Sequence, residues 1–383
     1  MTTDASASPD VVAIAEGFAA TLRRRATEIE AAGRLPQDLA SELAAAGLYR
    51  LWMPLAHGGF ETPPPDAMRA LEVLAAADAS TAWCVFIGIT STLPLANLSD
   101  DTIREIFAKP ETRLSGVFEP AGLATPVEGG LRVSGEWSFG SGSYNADWIG
   151  AGVRIGDAEN PSATSYIFVP ASDVKLLGTW DVSGLCGTGS THFRMEDVFV
   201  PARRAIGLTT ATPPDRPLYR FSMFTLLGMS IGAIANGLAR AALDEFAHLA
   251  STKAPAGGRR PLSQRPNVQL EIGRAETRLR AARAYFHQTL QAAWQAAVKG
   301  DPISREHCVE IRTATCNAVD AALEITQCVH RLAGSAALYR SSPLQRYLRD
   351  AQVVAQHIMA RPVFYELAGS HFLGEEHPST AFL

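Results

Sequence analysis

The sequence predicts an α+β fold, mostly α, in three successive blocks: a helical N-terminal domain, a middle antiparallel β-barrel or sandwich, and a C-terminal four-helix bundle. Three observations predict it. Both ends of the chain repeat apolar residues at helical spacing. Between about Arg113 and Ile206, Gly, Ser, Thr and Val rise and apolar and polar residues alternate with period two. A proline-rich stretch, Thr209 to Pro217, separates that region from the last helical one. The blocks divide at residues 1–112, 113–207 and 208–383.

In the first block, Val11 to Ala32 is rich in Ala, Leu, Arg and Glu and reads as a helix. Pro36 sits at a second helix start, and Gln37 to Ala46 runs to a stop at Gly47. Pro63-Pro64-Pro65 breaks the chain, and Asp66 caps a helix over Ala67 to Ala77. Ser80 to Leu95 is apolar enough that it must be buried, and Asp100 to Ala108 is a short exposed helix.

In the middle block, Leu131 to Phe139 alternates as a strand after the turn signal Gly129-Gly130. Ser165 to Pro170 and His192 to Pro201 are strands ended by proline. The last block predicts helices over Ile231 to Thr252, Gln269 to Lys299, Ser304 to Ala333 and Arg346 to Glu366, the last kinked at Pro362. Lys253 to Pro266 is a long loop of the kind that often carries function.

Composition narrows the function. Hydrophobic residues are 47% and charged residues 19%, as in ordinary globular proteins, and a net charge of −5 argues against nucleic acid or an anionic membrane as partner. No uninterrupted apolar run reaches the ~20 residues that span a bilayer; the longest, near Phe224 to Ala235, contains Gly228 and Gly232. The polar start of the chain lacks a basic-then-apolar signal, so a cytoplasmic protein is expected. Five scattered cysteines without a C-x-x-C pair predict no disulfide, and neither they nor the histidines show metal-ligand spacing.

Four segments, in this order, resemble the acyl-CoA dehydrogenase superfamily. Phe118-Glu119-Pro120 is similar to its T-E-P segment. Gly135-Glu-Trp-Ser-Phe-Gly-Ser-Gly-Ser-Tyr-Asn-Ala-Asp147 resembles the G-x-K-x-W-I-T-N-x-x-x-A-D strand beside the flavin. Trp180 to Ser190, followed by Val198-Phe-Val-Pro201, resembles G-x-R-G-T-x-S … V-P, with Cys186 where arginine is common. Arg346-Tyr-Leu-Arg-Asp350 is similar to the R-x-x-R-D of the last bundle helix.

The dehydrogenases often carry a glutamate base eight residues past that aspartate; here the residue is Ile358, and no carboxylate lies between Asp350 and Glu366. The Phe-Gly-Ser-Gly strand and His357 look instead like the two-component flavin monooxygenases, such as the oxygenase components of p-hydroxyphenylacetate hydroxylases. That resemblance implies reduced flavin (FMN or FAD) delivered by a separate NAD(P)H:flavin reductase, O2 as co-substrate, a small organic substrate and a homotetramer. It departs at one place: a second active-site histidine of several such enzymes falls here near Thr90-Ser91-Thr92, and no histidine lies between His57 and His192.

The same resemblance makes His357 and Ser141 the catalytic candidates. Histidine transfers protons near neutral pH, although a lone histidine in a helical pattern is more often a packed residue. A serine hydroxyl both donates and accepts, and Gly140 and Gly142 on either side let a ring approach the backbone; a plain turn explains the same residues. Trp137 and Phe139, at i and i+2, share one strand face that is either core or flavin wall. Thr188, Gly189 and Ser190 offer hydroxyls and amides for a phosphate or flavin carbonyl. Arg259, with Arg260 beside it, and the helix-ending pair Gly334-Ser335 are candidates for the flavin phosphates. His330 and His371 are weaker rivals of His357, and His57 reads as part of a structural turn. Two alternatives remain at this stage: an acyl thioester dehydrogenase with Glu366 or Glu324 as base, and a non-catalytic relative that binds flavin or acyl carrier protein.

Overall fold

The computed structural model describes residues 9–156, 161–207, 214–254 and 260–375. The N-terminal block begins with α1 (Val11–Ala32), whose first amides are taken by the Asp10 carboxylate and whose end is closed by Gly33 in the left-handed region. Next come α2 (Gln37–Ala45) and α3 (Pro64–Ala77). Asp66 lies in the first turn of α3 rather than at its cap; Pro64 starts the helix because a first-turn residue needs no N–H partner. In α4 (Ala79–Thr92) nearly every side chain is buried, and Asp78 caps it by accepting from Thr81 N–H at 2.7 Å. The short α5 (Asp100–Ile106) is capped by Ser99.

The middle block is one six-stranded mixed sheet, which corrects the all-antiparallel expectation in one pairing. Its strands are β1 (Leu114–Val127), β2 (Gly130–Gly140), β3 (Trp148–Gly156), β4 (Pro161–Pro170), β5 (Lys175–Leu176) and β6 (Thr191–Pro201), in the order β4-β3-β1-β2-β6-β5. β1 and β2 form the expected hairpin, with Gly129 at φ 77°. β2 carries the chain back to the level where β1 began. The next strand, added to the free edge of β1, must therefore run with it, and β1 pairs β3 in parallel. Buried Trp137, Phe193, Ile149 and Val153 give this block its own core.

The C-terminal block packs α6 (Met223–Thr252), α7 (Pro266–Lys299) and α8 (Arg305–Ala333) side by side. α6 starts eight residues earlier than its apolar periodicity indicates, because Ser222 caps it through Thr225 N–H. Ser304 and His307 make a reciprocal capping box on α8. The expected helix over Arg346 to Glu366 is not continuous. α9 (Pro343–Val354) stops, a 3-10 turn covers Ile358–Ala360, and α10 (Val363–Phe372) follows. Pro362 cannot donate an amide and pushes Arg361 to an extended conformation (ψ 150°), while His357 is itself extended (ψ 139°) and caps the turn.

Ala79–Asn97 and Met223–Thr252 are long and apolar enough to cross a membrane, contrary to the reading of the sequence, and 94% of each window is buried inside the protein. Packing against the rest of the chain accounts for their composition.

Candidate active site

Where β2 ends, the chain leaves the ladder irregularly. Trp137 pairs Phe193 and Gly140 pairs Thr191, so two residues of β2 face one of β6. The bulge puts Phe139 in the left-handed region (φ 65°) and turns its ring outward, 65% exposed. Trp137 and Phe139 therefore do not share a face. The Trp137 indole is fully buried in the sheet core, stacked on Phe193 at 5.3 Å with its N–H on the Gly152 carbonyl at 2.8 Å. Phe139 instead stands at the surface edge-on to Trp180 and His192, with centroids 6.3 and 6.1 Å away.

Directly behind Phe139, Ser141 is buried, and its backbone is fixed by Ser115 Oγ donating to its carbonyl at 2.7 Å. The Ser141 hydroxyl accepts the Trp83 indole N–H at 3.1 Å and lies 2.6 Å from Ser190 Oγ. Ser190 Oγ lies 2.7 Å from Thr188 Oγ1, which donates to the Leu185 carbonyl at 2.8 Å. The structure thus gathers Ser141, Thr188 and Ser190 into one buried hydroxyl chain. Gly142 N–H donates to the Thr188 carbonyl at 2.9 Å. Gly189 (φ 55°) must be glycine, since a Cβ there would lie 2.8 Å from the Tyr144 ring.

The loop that carries Thr188 is tied to the R-x-x-R-D motif. Leu185, at φ 50°, donates its N–H to Asp350 Oδ1 at 2.7 Å. A Cβ on Gly184 would fall 2.3 Å from the Arg349 carbonyl. Arg349 also donates to the Ser183 carbonyl and pairs with Glu30 of α1. Burial pushes the Asp350 carboxyl up to about 7, with Asp78 adding in the same direction.

His357 packs edge-on against Trp83, with ring centroids 5.5 Å apart. Its Nδ1 accepts the Met359 N–H at 3.2 Å, so in the neutral ring the proton is on Nε2. Dehydration, helped by the Arg312 guanidinium, pulls its pKa down to about 4. Trp83 is the residue the sequence reading passed over: it joins His357 to Ser141 from a helix 58 positions upstream of the serine. The signal that could have found it is Ser80-Thr-Ala-Trp83, which is similar to the S-T-x-W segment that precedes the second histidine in several two-component flavin monooxygenases.

The remaining candidates lie elsewhere. Gly334 and Ser335 are exposed at the end of α8, outside the hydroxyl chain. Arg259 is outside the described residues. Glu366 is exposed on α10, and Glu324 is exposed and paired with Arg278, so neither is placed as a buried base. Among the described residues no cluster of His, Cys, Asp and Glu can hold a metal.

A cavity of about 540 Å³ opens past the other end of α4, lined by Leu93, Phe118, Tyr166, Phe221, Met223 and Phe224 among others. No charged side chain lines it among the described residues. Residues 208–213, adjoining its Gly207 edge in sequence and themselves outside the described residues, include none. α4 links cavity and hydroxyl chain: Trp83 and Leu93 are ten positions apart, ~15 Å of helix. Near the cavity floor Ser91 and Tyr166 bring their buried hydroxyls together without a well-formed hydrogen bond. The Tyr166 hydroxyl fits only because Gly116 and Gly150 lack a Cβ, which would lie 2.1 and 2.2 Å from it.

A flavin suits these groups. An outward-facing aromatic ring at a strand end, backed by hydroxyls and a left-handed glycine, can receive a flat heteroaromatic ring with polar edges. The chain matches the acyl-CoA dehydrogenase N-terminal domain over residues 11–110 and the acyl-CoA dehydrogenase C-terminal domain over residues 229–362. An indole-3-acetate monooxygenase of Pseudomonas putida is 32% identical over 355 residues, 92% of this chain and 91% of that protein. The oxygenase component of an FADH2-dependent resorcinol hydroxylase from Rhizobium sp. is 28% identical over 89% of this chain and 88% of its own length. Of solved structures, a 3-HSA hydroxylase from Rhodococcus sp. RHA1 superposes with a TM-score of 0.89 at 27% identity, covering 98% of this chain and 99% of that one. XiaF from Streptomyces sp., in complex with FADH2 and glycerol, gives 0.90 at 26% identity over 96% of each chain. The chain belongs to the acyl-CoA dehydrogenase superfamily, and within it to the flavin-dependent monooxygenases that serve as oxygenase components.

Proposed function

We propose that the chain oxygenates an uncharged aromatic substrate, using reduced FAD that a separate reductase supplies. The observation that carries this reading is the set Ser141–Trp83–His357, beside a segment that has Ile358 where the dehydrogenases often carry their glutamate base. When bound, reduced flavin delivers two electrons to O2, so that one oxygen atom enters the substrate and the other leaves as water. The protein's part is to orient and to keep water out. Ser141 holds the flavin edge, Phe139 lies against the ring, and His357 Nε2–H donates to an oxygen that gains negative charge.

The cavity supports the substrate class. Its walls are aromatic and aliphatic, with a few neutral polar groups such as Asn97, Ser165 and Tyr166. A carboxylate held there would lose its hydration without a cationic partner. FAD rather than FMN is supported by the FADH2 named for the resorcinol hydroxylase and for XiaF. Self-association, in our reading a homotetramer, is supported by exposed apolar residues clustered late in the chain: Leu338, Tyr339, Ile358, Phe372 and Leu373. A cytoplasmic setting is in keeping with five cysteines that are all free thiols.

The test is to mix the protein anaerobically with reduced FAD or FMN, add oxygenated buffer and follow absorbance. A long-lived spectrum distinct from reduced and oxidised flavin, with indole consumed in preference to indole-3-acetate, is the expected outcome. Immediate return to oxidised flavin with both cofactors, with or without an aromatic substrate, would sink the reading.

A further inference from the structure

The bond from the Thr188 hydroxyl to Leu185 sets a direction on the buried hydroxyl chain. Leu185 contributes a carbonyl, which can only accept, and Thr188 Oγ1 lies 2.8 Å from it. Each hydroxyl has one proton. Thr188 uses its own on Leu185, so Ser190 is the donor in the 2.7 Å contact between Ser190 and Thr188. Ser190 has then used its proton, so Ser141 is the donor in the 2.6 Å contact between those two serines. At the far end the Trp83 indole N–H, which can only donate, occupies one lone pair of Ser141 at 3.1 Å. Ser141 is left with one lone pair and no proton to offer.

The anchor of the chain is rigid. Leu185 is held in a left-handed conformation by the hydrogen bond its N–H donates to Asp350 Oδ1, and Gly184 is pressed against the α9 backbone. The Leu185 carbonyl also receives the Trp180 indole N–H at 3.3 Å. Thr188 N–H donates to the same carbonyl at 3.1 Å, and the direction of the chain rests on the Thr188 hydroxyl donating to this fixed carbonyl at 2.8 Å rather than to Ser190.

We propose that Thr188 is a positioning residue that holds Ser141 as a hydrogen-bond acceptor only, so that the site prefers a flavin whose central edge presents an N–H over one that presents a bare ring nitrogen. This rests on the reading of Ser141 as the residue at the flavin edge. Reduced flavin carries the N–H; oxidised flavin carries the bare nitrogen. The selectivity thus lies in the redox state of the ligand: the spent cofactor loses a partner at Ser141 and is released for renewal by the reductase. Thr188 touches no flavin in this account and acts through Ser190.

The experiment compares binding of reduced and oxidised FAD and FMN to the full-length protein, anaerobically and without substrate, by ultrafiltration. Wild type is set beside Thr188→Val, Thr188→Ser and Ser190→Ala. Valine removes the acceptor for Ser190 and frees a proton in the chain; serine restores it. The ratio of Kd for oxidised to reduced flavin is expected to fall about tenfold in Thr188→Val, the size of one hydrogen bond, and to stay near wild type in Thr188→Ser. Ser190→Ala, which frees the Ser141 proton directly, is expected to lower the ratio as well and carries the test if Thr188→Val does not fold. Equal weakening of both forms, with an unchanged ratio, would mean that Thr188 is merely structural and would overturn the proposal. A wild-type protein that binds neither form would overturn the flavin reading itself, and this proposal with it.

Discussion

The His357 ring presents a donor, Nε2–H, and no free acceptor. Because Nδ1 is committed to the Met359 amide, the ring offers Nε2–H to whatever lies beyond it. Of the two roles the sequence leaves open, base or oxyanion partner, the tautomer supports the second. With its pKa pulled down to about 4 by burial, the ring is neutral at pH 7. The sign of the linkage follows: the unfolded chain takes up the proton near pH 6.5, the folded chain only near 4, so this residue's contribution to stability is intact above about 6.5 and declines as pH falls toward 4. Nitrogen-detected NMR of the histidine side chains should therefore show one ring titrating near 4 that vanishes in His357→Gln. A His357 midpoint near 6.5 would show that burial does not govern it. Ser141, Thr188 and Ser190 were legible in the sequence as glycine-flanked hydroxyls in two short motifs. Their partner Trp83 was not, because α4 is apolar on all sides and no periodicity marks which of its faces meets a functional group.

Among the elements, the last segment of the bundle departs most from its pattern. Apolar residues continue through Val353, Ile358 and Val363, yet the helix breaks at His357 and resumes after Pro362. The pattern recorded burial but not the competition between helix hydrogen bonds and a side-chain cap. The sheet was legible in its hairpin and in β4 and β6, whereas β1 and β3, glycine-rich and partnered in parallel, carried little alternation. The three helices α3, α6 and α7 are joined by a contact that no motif announced. Glu72, buried on α3, accepts from Arg283 Nη2 at 2.7 Å, Asn236 Nδ2 at 3.1 Å and His287 Nε2 at 2.9 Å. Burial alone would raise this carboxyl; its partners outweigh burial and hold it below the usual range. Glu72→Ala is expected to cost roughly 2 kcal/mol of unfolding free energy in urea titration, since it leaves the buried Asn236 amide without its acceptor and removes the counter-charge of the half-exposed Arg283. That loss should shrink as pH is lowered through the depressed pKa of the wild-type carboxyl. A variant as stable as wild type would show that the cluster is well solvated.

For the whole molecule, fold class and three-block order follow from the change of periodicity along the chain, and the described structure keeps both. Quaternary structure is set by surface that a pattern of buried residues does not describe. Tyr339 (68% exposed), Phe372 and Leu373 (80%) are far more apolar than solvent contact favours. Tyr339→Glu combined with Leu373→Glu should shift light-scattering mass from that of the proposed tetramer toward smaller species without changing the circular dichroism spectrum. An unchanged mass would place the interface elsewhere. The three blocks meet at Arg349, which joins Glu30 of the first, the Ser183 carbonyl of the second and its own α9 in the third. For anyone building chimaeras between relatives of this enzyme, a crossover that separates α1 from α9 puts the Arg349–Glu30 pair at risk, and taking both helices from one parent preserves it.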